Sequence, residues 1–171
     1  GTRPNFIKVT RFKDVAARRG IIDVRIVHTG QHYSANMADV FFEQFGLVPD
    51  RFLNIGGGSP NTQMAQVMIG LERVIEEERP DLLMVVGDVN STLAAAITAN
   101  KMGVRLGHLE SGLRSFDRTM PEEHNRVLTD AITDHFFITE QSGLDQLRKD
   151  GQREDVLHFV GNTMIDTLVA F

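Results

Sequence analysis

The sequence predicts a Rossmann-like α/β fold, with a mostly parallel sheet and helices on both of its faces. Short apolar runs alternate with segments of helical periodicity, and the connections between them are short. A cluster of polar residues follows each apolar run, as it does in parallel sheets whose strands all end at one edge. With 42% apolar and 24% charged residues, the 171 residues suffice for one well-packed domain.

The individual elements follow from these patterns in order along the chain. The apolar runs predict strands because they are short and rich in Val, Ile, Leu or Phe. The predicted strands are 23–28, 81–87, 104–110, 134–140 and 155–161. The predicted helices are 6–19, 34–45, 61–78, 91–102, 121–133 and 140–149. The chain opens on the turn-like "GTRP" and stops within the helix-like "GNTMIDTLVAF", so we expect a fragment of a longer protein whose first strand precedes Gly1.

Composition and missing motifs disfavour several classes of function. The formal net charge is −5 and no basic stripe offers a footprint for nucleic acid, so we expect no such partner. There is no cysteine, which removes disulfides and thiolate chemistry. No apolar run approaches the roughly 20 residues of a membrane span, and we expect a cytoplasmic protein without membrane contact. The absence of G-x-G-x-x-G and G-x-x-x-x-G-K-[ST] disfavours dinucleotide dehydrogenases and P-loop enzymes.

Charged residues gather at the predicted carboxyl ends of the strands. They are the carboxylates Asp88, Glu110 and Glu122 and the cations Arg3, Lys8, Arg114 and Arg126. The cations would neutralise a diphosphate, and the helix amino termini after residues 90 and 162 would add N–H donors. The carboxylates could transfer protons or stabilise a cationic transition state. The pattern therefore favours a charged substrate that gains and loses a proton.

Two of the carboxylates raise different questions. Asp88 could be a structural turn residue, with Asn90 or Ser91 capping the helix that follows, and the spacing leaves this alternative open beside a chemical role. Glu110 ends an apparently buried strand, so it needs either a partner or a chemical function.

Glu122 and two of the cations also have structural interpretations. The segment "TMPE" at 119–122 fits a capping box with Thr119 as the N-cap, and spacing alone favours capping for Glu122. Arg3 could bind only the carbonyls of a turn, and Lys8 could be merely solvated on the first helix.

The histidines and methionines indicate structural roles. We expect hydrogen bonds rather than metal ligation from His28, His32 and His108. We expect core packing from Met64, Met68 and Met102.

Five motifs together resemble one enzyme family. They are "GTRPNFIK", "HTGQHYSANM", "GDVNST", "HLESGLRSFDRTMPEEHNR" and "FVGNTMID", in this order along essentially the whole sequence. They resemble the amino-terminal domain of the non-hydrolysing UDP-N-acetylglucosamine 2-epimerases. The resemblance implies that residues 1–171 are one of two Rossmann-like domains in a glycosyltransferase-B (GT-B) type fold, with the second domain beyond residue 171.

The family resemblance implies inversion at C2 of the sugar. UDP-N-acetylglucosamine and UDP-N-acetylmannosamine would interconvert by elimination and re-addition of UDP, without a cofactor or metal, in a homodimer. Asp88, Glu110 and Glu122 match the catalytic carboxylates of the family. Arg3 and Lys8 match cationic active-site positions of its opening motif. A catalytic histidine and the main UDP-binding residues belong to the second domain, so residues 1–171 alone are expected to be inactive.

The sequence also departs from the family pattern. Asn5 replaces the usual glutamate after "GTRP", and His124 stands where an apolar or small residue is common. Gln31 and His32 match an effector site for UDP-N-acetylglucosamine in bacterial members, but Ser34 replaces a frequent glutamine nearby. Two alternatives stay open: a hydrolysing relative that releases UDP and N-acetylmannosamine, and a non-catalytic nucleotide-sugar-binding module.

Overall fold

The computed structural model describes residues 3–30 and 46–170. The predicted helix 34–45 and the predicted effector residues Gln31 and His32 lie outside the described residues.

The first part of the chain contains two helices and a short pair of strands. Helix α1 spans Arg3–Val9 and helix α2 spans Phe12–Arg19, so the single helix predicted over 6–19 is in fact two. The strands β1 (Val27–His28) and β2 (Arg51–Phe52) pair in parallel. Only the end of the predicted strand 23–28 joins this pair, and two residues of β2 are too few for a periodic pattern to reveal.

Aromatic stacking joins helix α1 to strand β1. The rings of Phe6 and His28 are parallel to within 4°, with centroids 4.7 Å apart. Burial lowers the pKa of His28 to about 4, so its imidazole is neutral at physiological pH.

The second part of the chain alternates helix and strand regularly. The elements are α3 (Pro60–Glu78), β3 (Leu82–Val86), α4 (Asn90–Lys101), β4 (Arg105–Leu109), α5 (Pro121–Ala131), β5 (His135–Ile138), α6 (Gln141–Lys149), a 3-10 turn (Glu154–Val156), β6 (Leu157–Phe159) and α7 (Thr163–Ala170). Each predicted strand in this part contains an observed one. Helix α3 begins where Ser59 accepts a hydrogen bond from the Thr62 N–H, with Pro60 as its first residue.

The four strands β3 to β6 form one parallel sheet in sequential order. Leu82 pairs with Arg105, Gly107 with His135, and Phe136 with Leu157. Because all four strands are parallel, their carboxyl ends lie along one edge of the sheet. The polar segments after β3 and β4 are thereby brought together, as the sequence predicted.

The core lies between this sheet and the helices that connect its strands. Ala95, Ala96 and Ala99 of α4 are buried against Val85 and Leu106. The small alanine side chains let the helix backbone lie close to the sheet. A second cluster joins Phe136 and Ile138 of β5 to Leu147 of α6. The three methionines expected in the core, Met64, Met68 and Met102, all pack against such clusters, which confirms that prediction.

No helix in the described part of the chain is both long and apolar enough to cross a bilayer.

Candidate active site

Asp88 follows the end of β3, where the backbone turns sharply into α4. Gly87 has φ +72°, a left-handed conformation, and its N–H donates to the Leu109 carbonyl at 3.1 Å. The Asp88 carboxylate accepts a hydrogen bond from the Arg126 guanidinium at 2.6 Å, and the Asp88 carbonyl accepts one from the Asn125 amide at 2.9 Å. The Asp88 side chain is therefore held by a cation on α5.

The residue that caps α4 is not one of the two that the sequence suggested, Asn90 and Ser91. The N-cap residue is Val89, which has no side-chain oxygen, so neither Asn90 nor Ser91 is the cap. Asn90 is the first helical residue, and its side-chain oxygen accepts a hydrogen bond from the Asn125 amide at 3.0 Å. The prediction that Asn90 or Ser91 caps this helix is therefore wrong.

Glu110 forms an ion pair at the end of β4. Its carboxylate lies 2.5 Å from Nζ of Lys8. Glu110 has φ +69°, which is uncommon for a residue with a side chain, and its N–H donates to the Phe137 carbonyl at 3.0 Å. The backbone of the neighbouring strand therefore holds this conformation in place.

Lys8 reaches Glu110 from helix α1 and is itself buried. Its Nζ also donates to the Asn5 side-chain oxygen at 3.2 Å, and the Asn5 amide donates to the Val86 carbonyl at 3.3 Å. Asn5 thus joins Lys8 to the end of β3. The alternative that Lys8 is merely solvated is wrong.

Glu122 and Glu123, which are neighbours at the start of α5, have different surroundings. The N-cap of α5 is Met120, and Thr119 donates its N–H and hydroxyl to Asp117 instead. The predicted capping box of Thr119 and Glu122 is therefore wrong, because the helix begins one residue later. Among the described residues, the partly buried Glu122 side chain has neither a hydrogen-bond partner nor an ion-pair partner.

Glu123 takes the structural role that spacing had suggested for Glu122. Its carboxylate accepts hydrogen bonds from the N–H and hydroxyl of Ser115 (2.8 and 3.0 Å) and from the Phe116 N–H (3.2 Å). Burial alone would raise the pKa of Glu123, but these bonds and one from Arg126 hold it below its ordinary value. Glu123 therefore anchors the loop between β4 and α5.

Arg126 bridges the carboxylate of Asp88 at the sheet edge and that of Glu123 in the first turn of α5. It binds Asp88 at 2.6 Å and Glu123 at 3.3 Å. Burial alone would lower the pKa of Arg126, but the two carboxylates raise it above its ordinary value.

The two remaining predicted cations, Arg114 and Arg3, are not seen beside the three predicted carboxylates. Arg114 binds Asp130 at 2.6 Å and Asp150 at 3.4 Å, and only 7% of its side chain is exposed. The structure therefore pairs Arg114 with acids other than the three predicted carboxylates. The side chain of Arg3 is outside the described part of the chain.

Sequence reasoning missed the acid at the centre of a buried cluster behind this edge, Asp130. One oxygen of its carboxylate lies 2.7 Å from Nδ1 of His108, and the other accepts from the Gly112 N–H and from Arg114. We call His108, Arg114 and Asp130 the buried cluster. The available signal was a charged residue on the inward side of α5. The expectation that His108 forms hydrogen bonds is confirmed.

A cavity of about 620 Å³ lies beside the buried cluster. It opens between α5 and the end of α6 and is lined by residues that include Arg114, Glu123 and Asp150. Asp88 and Glu110, which follow strand ends, and Lys8 on α1 do not line it. Among the described residues, no group of three or more His, Cys, Asp or Glu side chains could hold a metal ion.

The fold and the site define a class of domain. It is a Rossmann-like domain that carries carboxylates paired with cations at the carboxyl ends of its strands, the usual place for ligands in open α/β sheets. Such a site can transfer protons and stabilise charge on an anionic substrate. We use the name acidic edge for Asp88 and Glu110, which follow strand ends and are each paired with a cation, together with Glu122 in the first turn of α5.

Comparison with known proteins identifies the family. The model of the UDP-N-acetylglucosamine 2-epimerase family matches residues 14–171, and the chain belongs to that family. The UDP-N-acetylglucosamine 2-epimerase of Methanococcus maripaludis is 42% identical over 99% of this chain and 46% of its own length. The UDP-2,3-diacetamido-2,3-dideoxy-D-glucuronate 2-epimerase of Pseudomonas aeruginosa is 40% identical over 100% of this chain and 49% of its own length.

Solved structures agree with the predicted fold class. The UDP-GlcNAc 2-epimerase of Methanocaldococcus jannaschii in complex with UDP-GlcNAc and UDP has 43% identity and a TM-score of 0.91, over 99% of this chain and 47% of that chain. The UDP-GlcNAc 2-epimerase of Neisseria meningitidis bound to UDP-GlcNAc has 30% identity and a TM-score of 0.92, over 99% of this chain and 47% of that chain. The chain thus has a Rossmann-like fold that corresponds to half of a GT-B type fold. It spans about half the length of the relatives it matches.

Proposed function

We propose that the complete protein is a non-hydrolysing UDP-N-acetylglucosamine 2-epimerase and that residues 1–171 supply its amino-terminal domain. The observation that carries this proposal is the acidic edge, where Asp88 and Glu110 are each held by a cation within 2.6 Å while Glu122 has no partner among the described residues. Membership of the family and similarity to a structure in complex with UDP-GlcNAc and UDP support the choice of substrate.

The proposed reaction passes through a 2-acetamidoglucal. A base removes the C2 proton, the C1–O bond to UDP breaks with its electron pair leaving on the diphosphate, and a C1–C2 double bond forms. Re-addition of UDP at C1 and of a proton to the opposite face of C2 gives the epimer. The atoms and electrons therefore balance without a cofactor, and each direction needs one proton acceptor and one proton donor.

The acidic edge provides groups for both requirements. Charge that develops at C1 as UDP leaves would be stabilised by Asp88 and Glu110, because Arg126 and Lys8 keep those carboxylates in fixed positions. Glu122 has no such ion pair in the described part of the chain and is a further candidate for proton transfer. The C2 base is one of these three carboxylates.

The cations are proposed to neutralise the diphosphate. Arg3 and Lys8 lie on helix α1, and Arg126 lies beside Asp88. Arg114 is bound by Asp130 and Asp150, so any contact with the substrate would use its remaining N–H groups. Gln31 and His32 are proposed as parts of an effector site.

The other properties of the complete protein stay predictions. They are a second domain after residue 171, a homodimeric assembly, a cytoplasmic location and the inactivity of residues 1–171 alone.

Solvent-isotope exchange tests the proposed reaction. The complete gene product is incubated with UDP-N-acetylglucosamine in heavy water, and the products are analysed by NMR and mass spectrometry. We expect a mixture of the two epimers with deuterium at C2 of each. Free N-acetylmannosamine and UDP in place of the epimer would establish the hydrolysing alternative. Binding without any turnover would establish the non-catalytic alternative.

A second substrate must be included in that assay. The Pseudomonas aeruginosa relative, at 40% identity against 42% for the Methanococcus maripaludis enzyme, is a 2-epimerase of UDP-2,3-diacetamido-2,3-dideoxy-D-glucuronate. The sugar of that compound carries a carboxylate. We expect turnover of UDP-N-acetylglucosamine to be faster. Turnover of the glucuronate alone would keep the reaction type and contradict the proposed substrate.

A further inference from the structure

His108 of strand β4 lies between two hydrogen-bond acceptors. Its side chain is fully buried, with 0% exposed. Nδ1 lies 2.7 Å from the Asp130 carboxylate, and Nε2 lies 2.8 Å from the Gly87 carbonyl. A neutral imidazole has one N–H and one lone pair, so it can donate to only one of these groups. A doubly protonated imidazole donates to both.

The proton shared between Nδ1 of His108 and the Asp130 carboxylate belongs on His108 rather than on Asp130. The other oxygen of the Asp130 carboxylate accepts hydrogen bonds from the Gly112 N–H at 2.9 Å and from Arg114 at 2.6 Å. Burial alone would raise the pKa of Asp130, but its bonds to His108 and Arg114 hold it below its ordinary value, and Arg114 carries a permanent charge that favours the ionised carboxylate. An ionised Asp130 can only accept, so Nδ1 of His108 must be the donor.

The charges around His108 can be balanced. Asp130 of α5 faces the imidazole directly, and Arg114 of the loop between β4 and α5 contacts the same carboxylate. Arg114 also reaches Asp150 at the end of α6. A positive His108 therefore belongs to a set of two cations and two carboxylates, which is the pairing that buried charges require.

The same contacts tie together the two strand ends that carry candidate acids. Gly87, which accepts from His108, immediately precedes Asp88 and is also bonded to Leu109. Gly112, which donates to Asp130, follows Glu110 by two residues. The His108–Asp130 pair thus connects the segment after β3 to the segment after β4.

We propose that His108 is a positioning residue that carries a proton on both ring nitrogens and, with Asp130, fixes Asp88 and Glu110 relative to each other. The positioning role rests on the proposed function, because it matters only if those two carboxylates act on a substrate. The hydrogen bond from a charged imidazole is stronger than one from a neutral imidazole, which suits it to holding a backbone carbonyl in place.

NMR of the histidine ring nitrogens tests the protonation state directly. The complete protein is labelled with ¹⁵N histidine, and His108 is assigned as the signal lost in His108→Gln. If that variant does not fold, the other histidines are substituted one at a time instead. We expect protonated-type shifts for both ring nitrogens of His108 at neutral pH. One protonated and one unprotonated nitrogen in the wild-type protein would overturn the proposal.

The variant Asp130→Asn tests the role of the carboxylate without changing its size. We expect His108 to lose one ring proton in this variant, because the amide carries no charge. Asp145→Asn is the matched control, since Asp145 is exposed on α6 and accepts from Gln141. It should leave both His108 protons in place. Retention of both protons in Asp130→Asn would overturn the assigned pairing.

Steady-state kinetics of the same variants test positioning. In Asp130→Asn we expect kcat for UDP-N-acetylglucosamine to fall by on the order of tenfold to a hundredfold, with KM changed by less than about twofold. The Asp145→Asn control should be unchanged. Normal kcat in a variant that has lost the His108 proton would overturn the positioning role. Wild-type protein without epimerase activity would remove the proposed function and the positioning role, while the NMR result would still decide the protonation state.

Discussion

The acidic edge and the buried cluster both contain carboxylates, yet their surroundings differ. At the edge, the Asp88 and Glu110 side chains are 30% and 23% exposed, and each is held by one cation. In the buried cluster, Asp130 is 4% exposed, and both of its oxygens are bonded. Acids with exposed surface can meet a substrate, whereas a fully bonded acid can only hold structure. We therefore propose that the acidic edge performs the chemistry and that the buried cluster holds it in place.

The largest expected effect is on stability, from breaking the buried cluster. The substitution Asp130→Leu leaves His108 and Arg114 buried without their shared carboxylate, which should lower the free energy of unfolding by about 3–5 kcal/mol. Chemical denaturation of the complete protein measures this. Arg148→Gln is the control, because its ion pair with Glu154 is solvent-exposed and should contribute little to stability. Equal stability of the two variants would contradict the comparison.

The adjacent glutamates Glu122 and Glu123 of α5 test the difference between a catalytic and a structural carboxylate within one helical turn. Glu123→Gln weakens the bonds that anchor Ser115 and Phe116 and should cost about 1–3 kcal/mol of stability. Glu122→Gln should change stability by less than about 0.5 kcal/mol but lower kcat by on the order of a hundredfold or more. Thermal unfolding and turnover of both variants are measured side by side. Normal turnover in Glu122→Gln would remove Glu122 from the catalytic set.

Acid should destabilise the protein in part through Asp130 and Glu123. The pKa values of Asp130 and Glu123 are lowered in the folded protein, so the stability they add is fully present above the ordinary carboxyl pKa near 4. That stability is lost as the pH falls from there through the lowered folded values. We therefore expect the Tm of Glu123→Gln to fall less than that of the wild type between about pH 5 and pH 3. If the Tm of the wild type and of Glu123→Gln fell equally over this pH range, Glu123 would not contribute to stability in the proposed way.

The sequence predicted the sheet and the positions of Asp88 and Glu110 after strand ends because both follow from local patterns. Apolar runs located β3 to β6, and a parallel sheet necessarily brings the ends of its strands to one edge. The two-residue strand β2 and the break between α1 and α2 were missed. Neither the short strand nor the break changes the pattern of apolar residues enough for the sequence to reveal it.

The partners of the site residues could not be read from spacing. Lys8 and Glu110 are 102 residues apart, and only the packing of α1 against the sheet brings them together. The capping box failed at Thr119 because Asp117 binds that residue and the helix begins after Met120. Spacing therefore favoured the wrong glutamate for the structural role, and Glu123 holds it.

Exchange of the C2 hydrogen is the measurement that tests the central claim most directly. The complete protein and its Asp88→Asn, Glu110→Gln and Glu122→Gln variants are incubated with UDP-N-acetylglucosamine in heavy water, and deuterium at C2 is followed with time. If the acidic edge performs the chemistry, the wild type incorporates deuterium into both epimers, and each variant does so at least about a hundredfold more slowly. Wild-type exchange that all three variants retain would contradict the account.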